Sequence, residues 1–237
     1  MSVKGPIGAL AALFLGGLGA WSVWIGWSGL QAAQAQVDAV HAMLRAAKLP
    51  VGQERDAALD AAQMALRRRL DYRPEDALAW SRLAEVRLLQ AMSGAVGQLS
   101  GALVAASLEA DARVEALGGS NARDYARRSY AASLLGGARA REGADWLASS
   151  YRLEGSATGL APRRLAAGAA MWPRLDARTR ALVRKEACSA VRDDLLLVGD
   201  AIAAPLHVSA AVEPRDTDGS VRLSLVEDLC AREVLDG

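Results

Sequence analysis

The residues of this chain that could do chemistry are few and scattered. Asp193-Asp194 is an adjacent carboxylate pair, but neighbours on a helix point in different directions, so joint acid–base work is not expected. His41 and His207 lie far apart, one in the first helical stretch and one in the tail, with no partner in view. Cys188 and Cys230 lack C-x-x-C spacing, and two His with two distant Cys make a poor tetrahedral zinc set. No His-Glu-x-x-His, Gly-x-Ser-x-Gly, Gly-x-x-x-x-Gly-Lys or strand-following Gly-x-Gly-x-x-Gly occurs. The sequence therefore assigns no catalytic residue, no metal and no cofactor, and the expectation is a protein that is not an enzyme.

Two groups of residues remain. Arg67-Arg68-Arg69, Arg127-Arg128 and Arg163-Arg164 could grip carboxylates or phosphates in bidentate fashion. The plainer expectation is solvated helix faces answered by nearby acids, because 28 Lys+Arg stand against 27 Asp+Glu. That balance also removes nucleic-acid binding, which draws its affinity from a surplus of positive charge. Trp80, Trp146 and Trp172 could line a groove, but the expectation is that they join Leu83 in the core between helix pairs.

The elements that must position these residues are helical. Ala is roughly a fifth of the chain, Arg outnumbers Lys 25 to 3, and aromatics make up 5%. Such a composition favours helix over strand and predicts an all-α fold.

The first 37 residues stand apart, because no charge appears between Lys4 and Asp38. Residues 7–30 form an apolar run about 36 Å long as a helix, against a hydrocarbon core about 30 Å thick. Trp21, Trp24 and Trp27 gather at its end, as in an interfacial belt. A cleaved signal peptide is the rival, with Ala33-Gln34-Ala35 as a small-x-small site, but the run exceeds the usual 7–15 residues. The expectation is a single transmembrane anchor with Lys4 on the cytoplasmic side and the rest of the chain in a bacterial periplasm. There Cys188 and Cys230 could join in a disulfide, although two buried free thiols would serve as well. Gly8, Ala12, Gly16 and Ala20 recur every fourth residue, a stripe on which another span, or a second copy of this one, could pack.

Beyond the anchor, Val37, Val40, Leu44 and Ala47 continue a helical stripe that stops near Pro50. Further helices are predicted over 55–70, after Pro74, over 98–117, 122–135 and around Trp146, from Pro162 to Trp172, and over 176–198. The fourth carries a stripe of Leu99, Leu103, Ala106, Ala110, Val114 and Leu117, and Ser120 is the expected N-cap of the next helix. Gly118-Gly119 and Gly136-Gly137 read as helix ends. In the tail, Leu206 to Val212 and Val221 to Leu225 alternate about a polar turn, predicting a small β-hairpin or an extended loop. The domain division follows: residues 1–36 an anchor, 37–199 stacked antiparallel helix pairs, 200–237 a tail packed upon them.

Residues 55–89 resemble a junction between tetratricopeptide repeats: Ala57, Ala61 and Ala65, then Arg73-Pro74-Glu75-Asp76, then Ala79-Trp80-Ser81-Arg82-Leu83-Ala84. Ala84 stands where the family has Gly, and Arg87 where it has an aromatic. No copy follows 34 residues on, near Val114, while residues 144–175 are similar to a degenerate repeat. The arrangement is similar to membrane-anchored helical-repeat proteins that accompany bacterial envelope polysaccharide synthesis and export. The resemblance implies an accessory role by binding, as a scaffold for envelope proteins, and carries over no catalytic residue. An accessory subunit of a membrane enzyme complex, held through its span, is the alternative.

Overall fold

In the computed structural model the backbone is described for residues 5–93, 99–155, 159–192 and 228–231, and side chains for 18–93, 99–155, 159–190 and 228–231. Among these residues there is no strand. The helices are α1 (Gly5–Lys48), α2 (Gln53–Tyr72), α3 (Ala77–Ser93), α4 (Gly101–Ala116), α5 (Ala122–Leu135), α6 (Arg139–Leu153), α7 (Ala161–Met171) and α8 (Ala177–Arg192). A 3-10 turn, Trp172–Arg174, separates the last two. The alternating pattern expected in the tail, with His207 and Asp193-Asp194, lies outside the described residues.

Helix ends follow local chemistry. Asp76 Oδ1 accepts from the Ala79 N–H at 2.9 Å to start α3, and Asp176 Oδ1 from Thr179 at 2.6 Å to start α8. The cap of α5 is Asn121 and not Ser120. Its side chain accepts from the N–H groups of Arg123 and Asp124, and the Asp124 carboxylate returns a bond to the Asn121 N–H. Asn121 wins because the reciprocal partner stands three residues after it. At the other end of α5, Gly136 has φ +64°, a conformation that a side chain disfavours.

The helices pack as antiparallel neighbours, α1 with α2, α3 with α4, and α5 with α6, while α7 lies across the last pair and α8 against α7. One core lies between α1, α2 and α3, around Leu59, Leu66, Leu83 and Val86; a second runs from α3 to α8 around Leu88, Tyr130, Leu147, Leu165 and Met171. The two share α3, whose opposite faces enter different cores. Helix pairs begin at Ala77, Ala122 and Ala161, that is 45 and 39 residues apart. Unequal spacing accounts for the missing copy near Val114.

Three expectations about packing need correction. The buried stripe of α1 is Ala32, Ala35, Ala39 and Ala46, whereas Val37 and Leu44 are exposed. On α4 the buried line is Val104, Ser107, Ala110, Asp111 and Val114, with Leu99 and Leu117 exposed. Leu83 is buried; Trp80 and Trp172 are half-buried and pack against the two cores, while Trp146 is half-buried beside Arg128. Small side chains let helices approach closely, so Ala and Ser line the inner faces of α1 and α4, beside cores filled by Leu, Tyr and Met. A Cβ at Gly143 would stand 2.7 Å from Met171 Sδ, and one at Gly168 2.8 Å from a Val183 methyl. The indoles take the rim, where Trp80 Nε1 donates to the Pro74 carbonyl at 2.8 Å.

α1 is unbroken for 44 residues. It packs on α2 from Ala32 onward, so the helical body begins before residue 37. Ahead of it, residues 18–27 form an arm with Leu18, Trp21, Val23, Trp24, Ile25 and Trp27 exposed around its whole circumference. Among the described residues no helix is long and apolar enough to cross a membrane. Of the expected span over residues 7–30, residues 7–17 lie outside the described side chains, Gly8, Ala12 and Gly16 of the small-residue stripe among them; Ala20 is exposed.

Candidate functional site

The densest chemistry lies inside the stack. Arg127, on α5, is 1% exposed and reaches acids from three helices. Its Nε donates to Asp111 Oδ2 at 3.2 Å, and Nη2 donates to the other Asp111 oxygen in a short contact. Nη2 also reaches Asp124 Oδ1 at 2.7 Å and Ser81 Oγ at 3.2 Å, and Nη1 lies 3.5 Å from Glu85 Oε2. Ser81 Oγ in turn donates to Asp124 at 2.6 Å. Glu85 is shared, because both Arg163 Nη groups pair with it, joining α7 to α3.

A second knot surrounds Arg164, also fully buried. Nη2 donates to the carbonyls of Ser150 and Glu154 at 2.8 and 2.7 Å, Nη1 to that of Gly155 at 2.5 Å, and Nε to Ser150 Oγ at 2.9 Å. One guanidinium thus covers the carbonyls at the end of α6, where that of Ser150 also accepts from the Glu154 N–H at 3.1 Å. It stacks 4.4 Å from the Tyr151 ring centroid and lies 3.4 Å from Glu186, to which the Tyr151 hydroxyl donates at 2.6 Å. Removal of this cation leaves buried acceptors behind. Arg164→Ala is expected to lower unfolding free energy by about 3 kcal/mol, and Arg164→Lys to recover little, since an ammonium cannot span these acceptors. Urea titration of both variants checks this, and full rescue by Lys would refute the fork argument.

The arginine clusters are answered by acids, but the expectation of solvated faces is wrong for Arg127, Arg128 and Arg164. Arg128 pairs with Glu115 at 2.8 Å and lies 4.4 Å from the Trp146 ring centroid. Of Arg67-Arg68-Arg69, the first two are exposed, while Arg69 pairs with Asp76 at 2.5 Å and donates to the Ala32 carbonyl at 3.1 Å.

Charge shifts follow the burial. Burial is the largest influence on Asp111, and with Asp124 beside it the carboxyl is raised to about 6 against the pull of Arg127. Glu85 goes the other way. Burial would raise it, but Arg163 and Arg127 outweigh that and hold it at about 2. Glu85 therefore stabilises the fold above its ordinary 4.5, and this is lost as pH falls toward 2. Asp111 binds its proton more tightly when folded, so its contribution is full below 3.8 and lost as pH rises through about 6. The expected outcome is that stability falls between pH 4.5 and 6.5 in the native chain, and falls less in Asp111→Asn. Urea midpoints across that range measure it; parallel slopes for the two proteins would refute the assignment.

Chemically, this network holds helices together. Every acid in it faces a guanidinium, and two hydroxyls, Ser81 and Tyr151, donate to its carboxylates, Asp124 and Glu186. Among the described residues no three His, Cys, Asp or Glu gather as metal ligands. No family model, curated protein or solved structure matches this chain. Its function therefore rests on geometry.

Two open cavities lie away from the network. One of about 390 Å³ lies between α1 and α2, lined by His41, Arg45, Glu54 and the alanines 57, 58 and 61. The other, about 300 Å³, is lined by Asp56, Asp60, Gln63, Gln90 and Leu103. Cys188 and Cys230 are joined in a disulfide that holds residues 228–231 against α8, with Leu229 fully buried and Arg184 Nε donating to the Cys230 carbonyl at 2.9 Å.

Sequence reasoning missed Asp111, Asp124, Glu85 and Glu186 as partners. One signal was present: Asp124 and Arg127 stand three apart on α5 between alanines, the spacing of a same-face pair.

Proposed function

We propose that this chain is a non-catalytic, membrane-anchored interaction module of the bacterial cell envelope, with α1 as its single-pass anchor and the helical body on the periplasmic side. One observation carries the reading: a body whose buried charges are spent on joining its own helices continues, without a break, into an arm apolar on all sides. A helix apolar around its whole circumference suits lipid, or burial between other spans, better than water. The disulfide supports an oxidising compartment. The resemblance to accessory proteins of polysaccharide assembly and export makes such a machine the proposed partner.

The test is mild-detergent recovery of full-length protein from native membranes, with crosslinking and mass spectrometry, beside a version carrying a foreign span. Partners kept after the exchange place recognition on the helical body. Partners lost on exchange, and lost equally in Gly8→Leu/Gly16→Leu, move it to the span and favour an accessory subunit. Recovery of the protein alone in every case overturns the reading.

A further inference from the structure

We infer that the turn between α2 and α3 rests in the lipid headgroup layer, with Arg73 at the level of the phospholipid phosphates. This deepens the anchor reading of α1 and rests on it.

The argument is one of levels along α1. Trp27 is the last of the three indoles on the exposed arm. Ser28 and Gly29 are half-buried and Ala32 is the first buried residue, with Leu30 still exposed, so the body starts within about one and a half turns of Trp27. α2 runs antiparallel to α1, and its C-terminal end meets α1 just past Trp27. Arg69 donates to the Ala32 carbonyl, and a Cβ placed at Gly29 would stand 3.9 Å from Arg73 Nη2. From Trp27 to Gly29–Ala32 is an axial rise of about 3–8 Å. Indoles prefer the boundary of the hydrocarbon, and the polar layer beyond it is about 5–8 Å thick on each side. The α2–α3 turn therefore falls within that layer.

The side chains there fit it. Arg73 is exposed beside the exposed Tyr72, and Arg68 is exposed one turn back along α2. A guanidinium pairs phosphate in bidentate fashion, and Tyr suits an interface. Asp71 and Glu75 are exposed in the same turn, and Asp76 is taken up by Arg69, so the surface is no bulk positive patch. The contact is a local one between guanidinium and phosphate. These arginines are more than thirty residues beyond the arm in sequence and reach it only by folding, so they lie outside the short flank that sets topology during insertion.

The test uses the full-length protein reconstituted in phosphatidylcholine vesicles, with the native disulfide leaving one engineered thiol to label. Glu75→Cys lies at the proposed contact, and Gln53→Cys lies at the far end of α2, about 30 Å away. Lipids brominated in their acyl chains report on the arm tryptophans, and lipids with a nitroxide headgroup report on each label. The expected result is quenched tryptophans, a label at 75 quenched severalfold more than one at 53, and at least a twofold loss of that quenching in Arg73→Glu. Quenched tryptophans with both labels dark to the headgroup nitroxide would overturn this inference and leave the anchor standing. Undiminished quenching in Arg73→Glu would overturn the phosphate contact. Unquenched arm tryptophans would remove the anchor reading itself, and this inference with it.

Discussion

Arg127→Met is expected to cost the helical body about 3–5 kcal/mol, the usual penalty for removing one partner of a buried ion pair. The loss comes less from the missing attraction than from what stays behind. Asp111 and Asp124 are 0% and 1% exposed, and both would face each other without the cation between them. Stability measured by urea at pH 7 should drop by that amount. At pH 5 the loss should shrink, because Asp111 already titrates near 6 and can shed its charge by taking a proton. Arg127→Met/Asp111→Asn should recover at least half of the loss at pH 7, since it removes one of the stranded charges. A double variant no more stable than Arg127→Met would mean that packing volume, and not charge, makes Arg127 indispensable.

Breaking the Cys188–Cys230 disulfide is the second large effect. It closes a segment spanning 42 positions, for which the chain-entropy relation gives about 4 kcal/mol. Cys188→Ser, or reduction of the native chain, should lower the unfolding free energy by about that amount. It should also raise protease sensitivity near residues 228–231, where Leu229 would lose its anchorage in the second core. Urea titration with and without reductant, followed by limited proteolysis, measures both. An unchanged midpoint on reduction would mean that Leu229 and Arg184 hold the segment without covalent help.

The helices were legible because their formers and breakers are local. Pro50, Arg73-Pro74, Gly118-Gly119 and Gly136-Gly137 each mark an end that the structure shows, and Asp176 caps α8 as its position suggests. Which face of α1 turns inward was harder to read. Larger apolar residues normally mark the core side, but here Ala32, Ala35 and Ala39 go inward while Val37 and Leu44 face outward. Close packing inverts the size rule, and close packing is a property of two helices together. The arginine network escaped for a related reason. Asp111 and Arg127 are 16 residues apart and Glu85 and Arg163 are 78, so no window along the sequence brings them together.

If α1 is the anchor proposed above, its unbroken course would tie the body to the bilayer mechanically. A helix with no hinge between arm and body transmits rotation as well as position. Residues 28–48 extend about 31 Å, so a change of 10° in tilt would sweep the far end of the first pair by about 5 Å. Spans adjust their tilt when hydrocarbon thickness changes. In the anchored protein, a local thinning or thickening of the membrane would then swing the helical body through space as a lever, altering which of its surfaces meets a neighbour.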